Sequence, residues 1–136
     1  MEELLCHLGK TRKKDLILLH LSSRTGNEIV YDLYCGIGAI SLYLANNAKK
    51  IIGVEIVKDA IIDAKENAKL NKINNAKFFQ GDLNVFFKNN HKIIKKEKPD
   101  IIILDPPRSG LHKNTINTII KYTSCKIVYV SCNPST

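Results

Sequence analysis

The chain has 136 residues, 44% of them hydrophobic, which is enough for the core of about one domain and excludes a disordered composition. Its formal net charge is +8, from 21 Lys and Arg against 13 Asp and Glu, and this excess favours a polyanionic partner such as nucleic acid. No apolar run reaches the roughly 20 residues of a membrane helix, and the chain does not start like a secretory signal, so we expect a cytoplasmic protein without a membrane partner.

Residues 1–24 are the least clear part of the chain, because apolar and basic clusters alternate there around Gly9. They predict only a loosely defined helical segment. The rest of the chain, residues 25–136, is interpreted as one domain.

From residue 28 onward, short β-branched apolar runs alternate with amphipathic stretches. The apolar runs predict five strands, at residues 28–35, 50–56, 76–81, 99–105 and 126–131. The amphipathic stretches predict helices at residues 38–48, 57–73, 83–97 and 113–123. Because nearly continuous apolar strands that alternate with helices are typical of parallel sheets covered on both faces, we expect an α/β fold with right-handed crossovers.

The second of these helices, at 57–73, has a clear apolar face that predicts which residues are buried. The face is formed by Ala60, Ile61, Ala64 and Ala68. On the exposed side like charges lie four residues apart, as with Lys65 and Lys69, so this side is not optimised for ion pairs within the helix.

The first strand leads into the motif "DLYCGIG", whose glycines allow a tight turn. Gly36 and Gly38 also allow a ligand to approach the backbone amides at the start of the helix. Glu55 ends the next strand, 19 residues after Gly36, where a carboxylate can bind both hydroxyls of a ribose. An NAD site would need a third glycine where Ser41 stands, whereas a methyltransferase site needs an acidic residue before the glycines, such as Asp32.

Two further carboxylates follow the third and fourth strands. Asp82 could accept a hydrogen bond from the amino group of an adenine, or cap the helix that follows, and the two roles can coexist. Asp105 precedes two prolines, which force a rigid extended turn. The turn presents its carboxylate at the edge where open α/β sheets bind ligands.

The fifth strand ends at "SCNPST", with Cys132 directly after the strand. A cysteine of the core would be expected inside the strand, so Cys132 is a candidate for chemistry at the same edge of the sheet. The other cysteines, Cys6, Cys35 and Cys125, are interpreted as small apolar residues. No C-x-x-C pair is present in the sequence, so no metal site is expected.

Four motifs, in this order and spacing, resemble the RNA uracil-5 methyltransferases that use S-adenosylmethionine: "DLYCGIGAISL", "GVEIVKDAIIDAKENAKLN", "DPPRSG" and "VYVSCNPST". The resemblance covers about residues 25–136 and implies a Rossmann-like methyltransferase fold with strand order 3-2-1-4-5. It implies methylation of carbon 5 of uridine in RNA, in rRNA or, second, in tRNA. Cys132 would be the nucleophile that forms a covalent adduct with the base, and Asp105 would orient the base.

The resemblance also implies the positions of the cofactor site. The residues expected to bind S-adenosylmethionine are Asp32, Tyr34, Gly36, Gly38, Ala39, Glu55, Asp82 and Asp105. Relatives often have Asn or Thr at the position of Ala39, which cannot supply a side-chain hydrogen bond.

The resemblance further implies a catalytic domain truncated at its C-terminus, whose last two strands and general-base Glu would follow Thr136. We therefore expect this chain alone to be inactive, and its fifth strand to present an edge that could promote self-association. Two alternatives stay open at this point. One is another S-adenosylmethionine-dependent methyltransferase in which Cys132 is structural, and the other is a non-catalytic cofactor- or RNA-binding remnant.

Overall fold

A computed structural model describes residues 26–107, 109–122 and 125–130, which form one sheet with helices between successive strands. The strands are β1 (Ile29–Leu33), β2 (Lys50–Glu55), β3 (Ala76–Gln80), β4 (Ile101–Leu104) and β5 (Lys126–Tyr129). The helices are α1 (Ala39–Leu44), which continues into a 3₁₀ turn (Ala45–Asn47), α2 (Lys58–Leu70), α3 (Leu83–Asn89), α4 (His91–Lys96) and α5 (Lys113–Tyr122). The predicted segment at residues 1–24 lies outside the described residues.

The five strands are parallel and follow the order β3-β2-β1-β4-β5, so the predicted fold class and strand order are confirmed. The chain builds outward from β1 to β3 on one side, and then returns to place β4 and β5 on the other side of β1. The carboxyl ends of β1 and β4 are therefore neighbours at the point where the strand order reverses. Open α/β sheets bind their ligands at this point.

Both faces of the sheet are covered, which explains why the strands are apolar throughout rather than alternating. Tyr31 in β1 pairs in register with Ile52 and Ile102, and all three side chains are fully buried. Phe86 and Phe87 of α3 pack on this face. Burial of each such side chain contributes about 1.5–3 kcal/mol, so the central strands provide a rigid support for the loops at their ends.

The apolar face predicted for α2 is confirmed, since Ile61, Ala64 and Ala68 are buried. The helix predicted at residues 83–97 is wrong in one respect, because α3 and α4 are separate helices with a break at Asn90. Asn90 has φ −109° and ψ 31°, and its side-chain Nδ2 donates to the carbonyl of Phe86 at 2.9 Å. Asn readily forms such local bonds in place of a helix.

The helices have at most 13 residues in the described part of the chain. None of them is long and apolar enough to cross a membrane.

Candidate functional site

Four carboxylates lie where the strands end, at an edge of the sheet that we call the carboxyl edge. They are Asp32, Glu55, Asp82 and Asp105. Burial, together with repulsion from Asp105 and Glu55, raises the pKa of Asp32 to about 7. The fold therefore brings together carboxylates that are up to 73 positions apart in the sequence, and the edge is strongly negative in a chain that is positive overall.

The most unusual group at this edge is the carboxylate of Asp32, which is only 1% exposed. Its Oδ2 accepts a hydrogen bond from the hydroxyl of Ser41 at 2.6 Å, whereas its Oδ1 is buried without a hydrogen-bond partner in the described structure. An unsatisfied buried acceptor costs about 1–3 kcal/mol. This arrangement suits a carboxylate whose remaining partner is a ligand.

Ser41 belongs to this site, although its place in the sequence did not predict a role there. The sequence suggested only that Ser41 replaces the third glycine of a dinucleotide-binding motif. In the structure Ser41 is fully buried in α1 and fixes one oxygen of Asp32. The sequence did contain a signal for this role. A small hydroxyl residue in the first turn of the helix after the glycine turn lies near the end of β1, where it can donate to Asp32.

The glycine turn after β1 contains two glycines that are needed for different reasons. Gly38 has φ 79°, and a Cβ built on it would lie 3.0 Å from Cζ of Phe78, so Gly38 allows close packing beneath the turn. Gly36 has φ 53°, and a Cβ there would meet nothing within 4 Å. The space beside Gly36 is therefore open to an approaching ligand, whereas the space beside Gly38 is filled.

Tyr34 also has a left-handed backbone conformation, with φ 67°, which is uncommon for a residue other than glycine. Its amide donates to the carbonyl of Val54 at 2.9 Å, which holds this turn against β2. Such a conformation costs on the order of 1 kcal/mol, and residues held in it are enriched at functional sites.

Glu55 joins the end of β2 to the glycine turn. Its Oε1 accepts from the amides of Ile56 at 2.8 Å and Val57 at 3.0 Å, and its Oε2 accepts from the amide of Gly36 at 3.1 Å. The two residues whose spacing suggested a ribose site are thus in direct contact. Three backbone bonds fix the orientation of this half-buried carboxylate.

Asp82 caps α3, as one of its two predicted roles requires. Its Oδ1 accepts from the amides of Asn84 at 2.8 Å and Val85 at 3.1 Å. Both bonds use the same oxygen, so the cap does not occupy Oδ2. Ala39, the first residue of α1, is exposed beside the glycine turn.

Asp105 follows β4, and its amide donates to the carbonyl of Leu33 at 3.4 Å, which places it beside the end of β1. Cys132, the candidate nucleophile, lies outside the described residues. Cys35 is 8% exposed, and burial raises the pKa of its thiol well above the usual range, in agreement with its interpretation as a packing residue. Within the ranges that the structure describes, no cluster of His, Cys, Asp and Glu could hold a metal ion.

Comparisons of the sequence identify relatives over most of its length. The family model described as tRNA (uracil-5-)-methyltransferase matches residues 16–136. An uncharacterized RNA methyltransferase of Clostridium tetani is 49% identical over 112 residues, which cover 81% of this chain and 23% of the relative. Another from Clostridium acetobutylicum is 46% identical over 121 residues, which cover 88% of this chain and 25% of the relative. The chain spans about a quarter of the length of these relatives.

Solved structures with the same fold agree with this result. The tRNA (uracil-54, C5)-methyltransferase of Pyrococcus abyssi, in complex with S-adenosyl-L-homocysteine, is 29% identical with a TM-score of 0.67, over 88% of this chain and 28% of that one. An S-adenosylmethionine-dependent methyltransferase of Geobacter sulfurreducens, at 16% identity and a TM-score of 0.65 over 88% of this chain and 47% of that one, shares the fold. The chain therefore has a Rossmann-like methyltransferase fold and belongs to the tRNA (uracil-5-)-methyltransferase family.

Proposed function

We propose that this chain is the cofactor-binding part of an enzyme that methylates carbon 5 of uridine in RNA. The observation that carries the proposal is the carboxyl edge, where the buried Asp32 has an unpartnered oxygen and Glu55 contacts the open turn at Gly36. Family membership and the relatives described as RNA methyltransferases support RNA as the substrate.

The cofactor is S-adenosylmethionine, in agreement with the prediction from sequence, and the carboxyl edge fits each part of it. Neighbours with this fold hold the demethylated product, S-adenosyl-L-homocysteine. Asp32 would attract the ammonium group of the methionine part, and Glu55 would accept from the ribose hydroxyls. Asp82 would use its Oδ2 for the adenine amino group, while Tyr34 and the turn that ends at Gly38 and Ala39 would form the adjoining wall.

The cofactor supplies a methyl group on a positively charged sulfur, but carbon 5 of uracil is too weak a nucleophile to accept it unaided. Cys132 would solve this problem as a thiolate that adds to carbon 6. The new carbon–sulfur bond moves the electron pair of the C5–C6 double bond toward carbon 5 and the O4 carbonyl, so carbon 5 becomes nucleophilic. Asp105, at the end of β4, would orient the base during this step.

Completion of the reaction requires removal of the proton from carbon 5 after methyl transfer. The released electron pair restores the C5–C6 double bond and expels Cys132 as a thiolate. In the family that the chain resembles, the base that takes this proton is a Glu downstream of the Cys motif.

RNA that contains 5-fluorouracil tests the role of Cys132, because fluorine replaces the proton that would be removed and the adduct cannot break down. We expect a covalent protein–RNA complex on a denaturing gel that needs both Cys132 and S-adenosylmethionine. Cys132→Ala should abolish the complex, and Cys125→Ala serves as the matched control that should retain it. A complex that survives Cys132→Ala would contradict the proposal, as would its absence in a chain that binds the cofactor.

The same assay separates the two RNA classes that the sequence left open. The family model and the Pyrococcus abyssi neighbour are both described as tRNA enzymes, which makes tRNA the first substrate to test, although rRNA was the first expectation from the resemblance. Trapping on fluorouracil-containing tRNA and on rRNA fragments, compared at equal concentrations, would assign the substrate.

A further inference from the structure

A groove of about 710 Å³ lies beside β3, the edge strand at one side of the sheet, and is separate from the carboxyl edge. We call it the β3 groove. Its apolar floor and walls include Ile73, Phe78 and Ile93. Its rim carries the exposed lysines Lys65, Lys69 and Lys77. No acidic residue lines the groove within the described part of the chain.

The positive and negative side chains of α2 lie on different sides of the helix, with the lysines on the side of the groove. At about 100° per residue, Lys58, Lys65 and Lys69 fall within a stripe of about 40° along the helix. The carboxylates of the same helix project about 60° or more away from Lys69 and are Asp59, Asp63 and Glu66. The like charges four apart at Lys65 and Lys69 therefore belong to a one-sided positive surface.

The lysines at the groove are also available to a partner. Among the described residues, Lys65, Lys69 and Lys77 form no ion pair, in contrast to Lys50, which pairs with Glu97. Ile93 of α4 also lines the groove, and the same helix carries the exposed lysines Lys92 and Lys96. The groove thus has cations beside an apolar floor, which suits a polyanion with apolar ribose and base surfaces.

The position of the stripe connects the groove to the site of chemistry. Helix α2 begins three residues after Glu55 at the carboxyl edge and runs back along the sheet. From Lys58 to Lys69 the helix rises about 16 Å. An RNA strand whose target base lies at the carboxyl edge could therefore extend its sugar–phosphate backbone along this stripe for several nucleotides.

We propose that the β3 groove binds the sugar–phosphate backbone of the substrate RNA, away from the base that is methylated. The inference rests on the proposed function, because it takes RNA as the substrate. It assigns Lys65, Lys69 and Lys77 to phosphate contacts that hold the RNA without reading its sequence.

The test uses fluorescence anisotropy of a short fluorescein-labelled single-stranded RNA, measured across a range of salt concentrations. The groove variant combines Lys65→Gln, Lys69→Gln and Lys77→Gln. The control variant also removes three exposed lysines, but at positions outside the groove: Lys49→Gln, Lys121→Gln and Lys126→Gln. Both variants have the same net charge, so a difference between them reports position rather than total charge.

We expect the groove variant to bind RNA roughly tenfold more weakly at low salt, and its log–log salt dependence to become shallower by about 2. The control variant should stay close to the wild type, and both variants should bind S-adenosyl-L-homocysteine normally in calorimetry. Equal losses in the two variants would overturn the inference while leaving the proposed function intact.

Two other outcomes would also contradict the β3 groove as an RNA site. If polyglutamate competes with the RNA as well as unlabelled RNA does, the groove is a general anion site. If the wild-type chain binds S-adenosyl-L-homocysteine but not RNA, both the groove and the RNA partner of the proposed function are wrong for this chain.

Discussion

The carboxyl edge and the β3 groove lie on the same sheet but carry opposite charge. Four carboxylates gather at the first region, one of them buried with an unpartnered oxygen, whereas the second presents lysines above an apolar floor. The net charge of +8 is a sum over the whole chain and does not reveal that the two regions differ in sign. The difference suits the two ligands that we propose, since the cofactor brings an ammonium and a sulfonium, and RNA brings phosphates.

The two regions are linked structurally through Phe78, which lines the groove and lies beneath the glycine turn. Its ring lines the β3 groove, and a Cβ built on Gly38 or Gly53 would lie 3.0 Å or 2.5 Å from its atoms. One substitution at Phe78 should therefore disturb both regions.

Phe78→Ala should therefore have the largest effect on the folded chain. The side chain is 6% exposed, and its removal leaves a cavity beneath the glycine turn. We expect a loss of about 3–5 kcal/mol in the free energy of unfolding, measured by urea denaturation, with weaker binding of S-adenosyl-L-homocysteine. Phe78→Leu, which keeps most of the apolar volume, should cost about 1–2 kcal/mol. A cost below about 1 kcal/mol for Phe78→Ala would show that the two regions do not depend on this ring.

The pH dependence of Asp32 concerns the carboxyl edge alone. Burial, with repulsion from Asp105 and Glu55, raises its pKa from the ordinary 3.8 to about 7, so the folded chain holds a proton that the unfolded chain releases between these values. The free energy of unfolding should therefore fall as pH rises from about 4 to 7, by roughly 2–4 kcal/mol. Affinity for S-adenosyl-L-homocysteine should rise over the same range, because the ionised carboxylate attracts the ammonium.

Asp32→Asn removes this titration and serves as the reference in both measurements. The free energy of unfolding of Asp32→Asn should not fall between about pH 4 and 7 by the amount assigned to Asp32. Its affinity for S-adenosyl-L-homocysteine should be weaker than that of the wild type and should not rise with pH over this range. If wild type and variant have parallel pH profiles, the buried carboxylate does not titrate in this range.

Asp82 should show the smallest effect on stability. Asn caps helices about as well as Asp, so Asp82→Asn should change the free energy of unfolding by less than about 0.5 kcal/mol, whereas Asp82→Ala should cost about 1 kcal/mol. Both variants should weaken S-adenosyl-L-homocysteine binding if Oδ2 contacts the adenine amino group. Normal affinity in Asp82→Asn would leave this residue with its helix cap alone.

The sequence was most informative where local pattern and sheet topology agree. The five apolar runs predicted the parallel sheet because only strands covered on both faces are apolar throughout. The contact between Glu55 and Gly36 was predictable because Glu55 ends β2 and Gly36 lies in the turn after β1, the adjacent parallel strand. This contact follows from the strand order, which places the ends of β1 and β2 side by side.

Features that depend on a single side chain or on elements far apart in the sequence were less predictable. Apolar pairs at Phe86–Phe87 and Ile93–Ile94 are seven residues apart, so the helical period continues across the break at Asn90 and hides it. The bond from Ser41 to Asp32 depends on how α1 leaves the glycine turn. The β3 groove requires α2, β3 and α4 to be adjacent in space, which no single stretch of sequence indicates.

Calorimetric titration with S-adenosyl-L-homocysteine most directly tests the claim that the carboxyl edge, and not the β3 groove, holds the cofactor. The measurement compares the wild type, Glu55→Gln and the groove variant with Lys65, Lys69 and Lys77 replaced by Gln. Loss of the charged ribose contact should cost Glu55→Gln about 1.5–3 kcal/mol, or roughly tenfold to more than a hundredfold in affinity, while the groove variant binds like the wild type. Unchanged binding by Glu55→Gln, or tighter binding of NAD than of S-adenosyl-L-homocysteine by the wild type, would contradict the account.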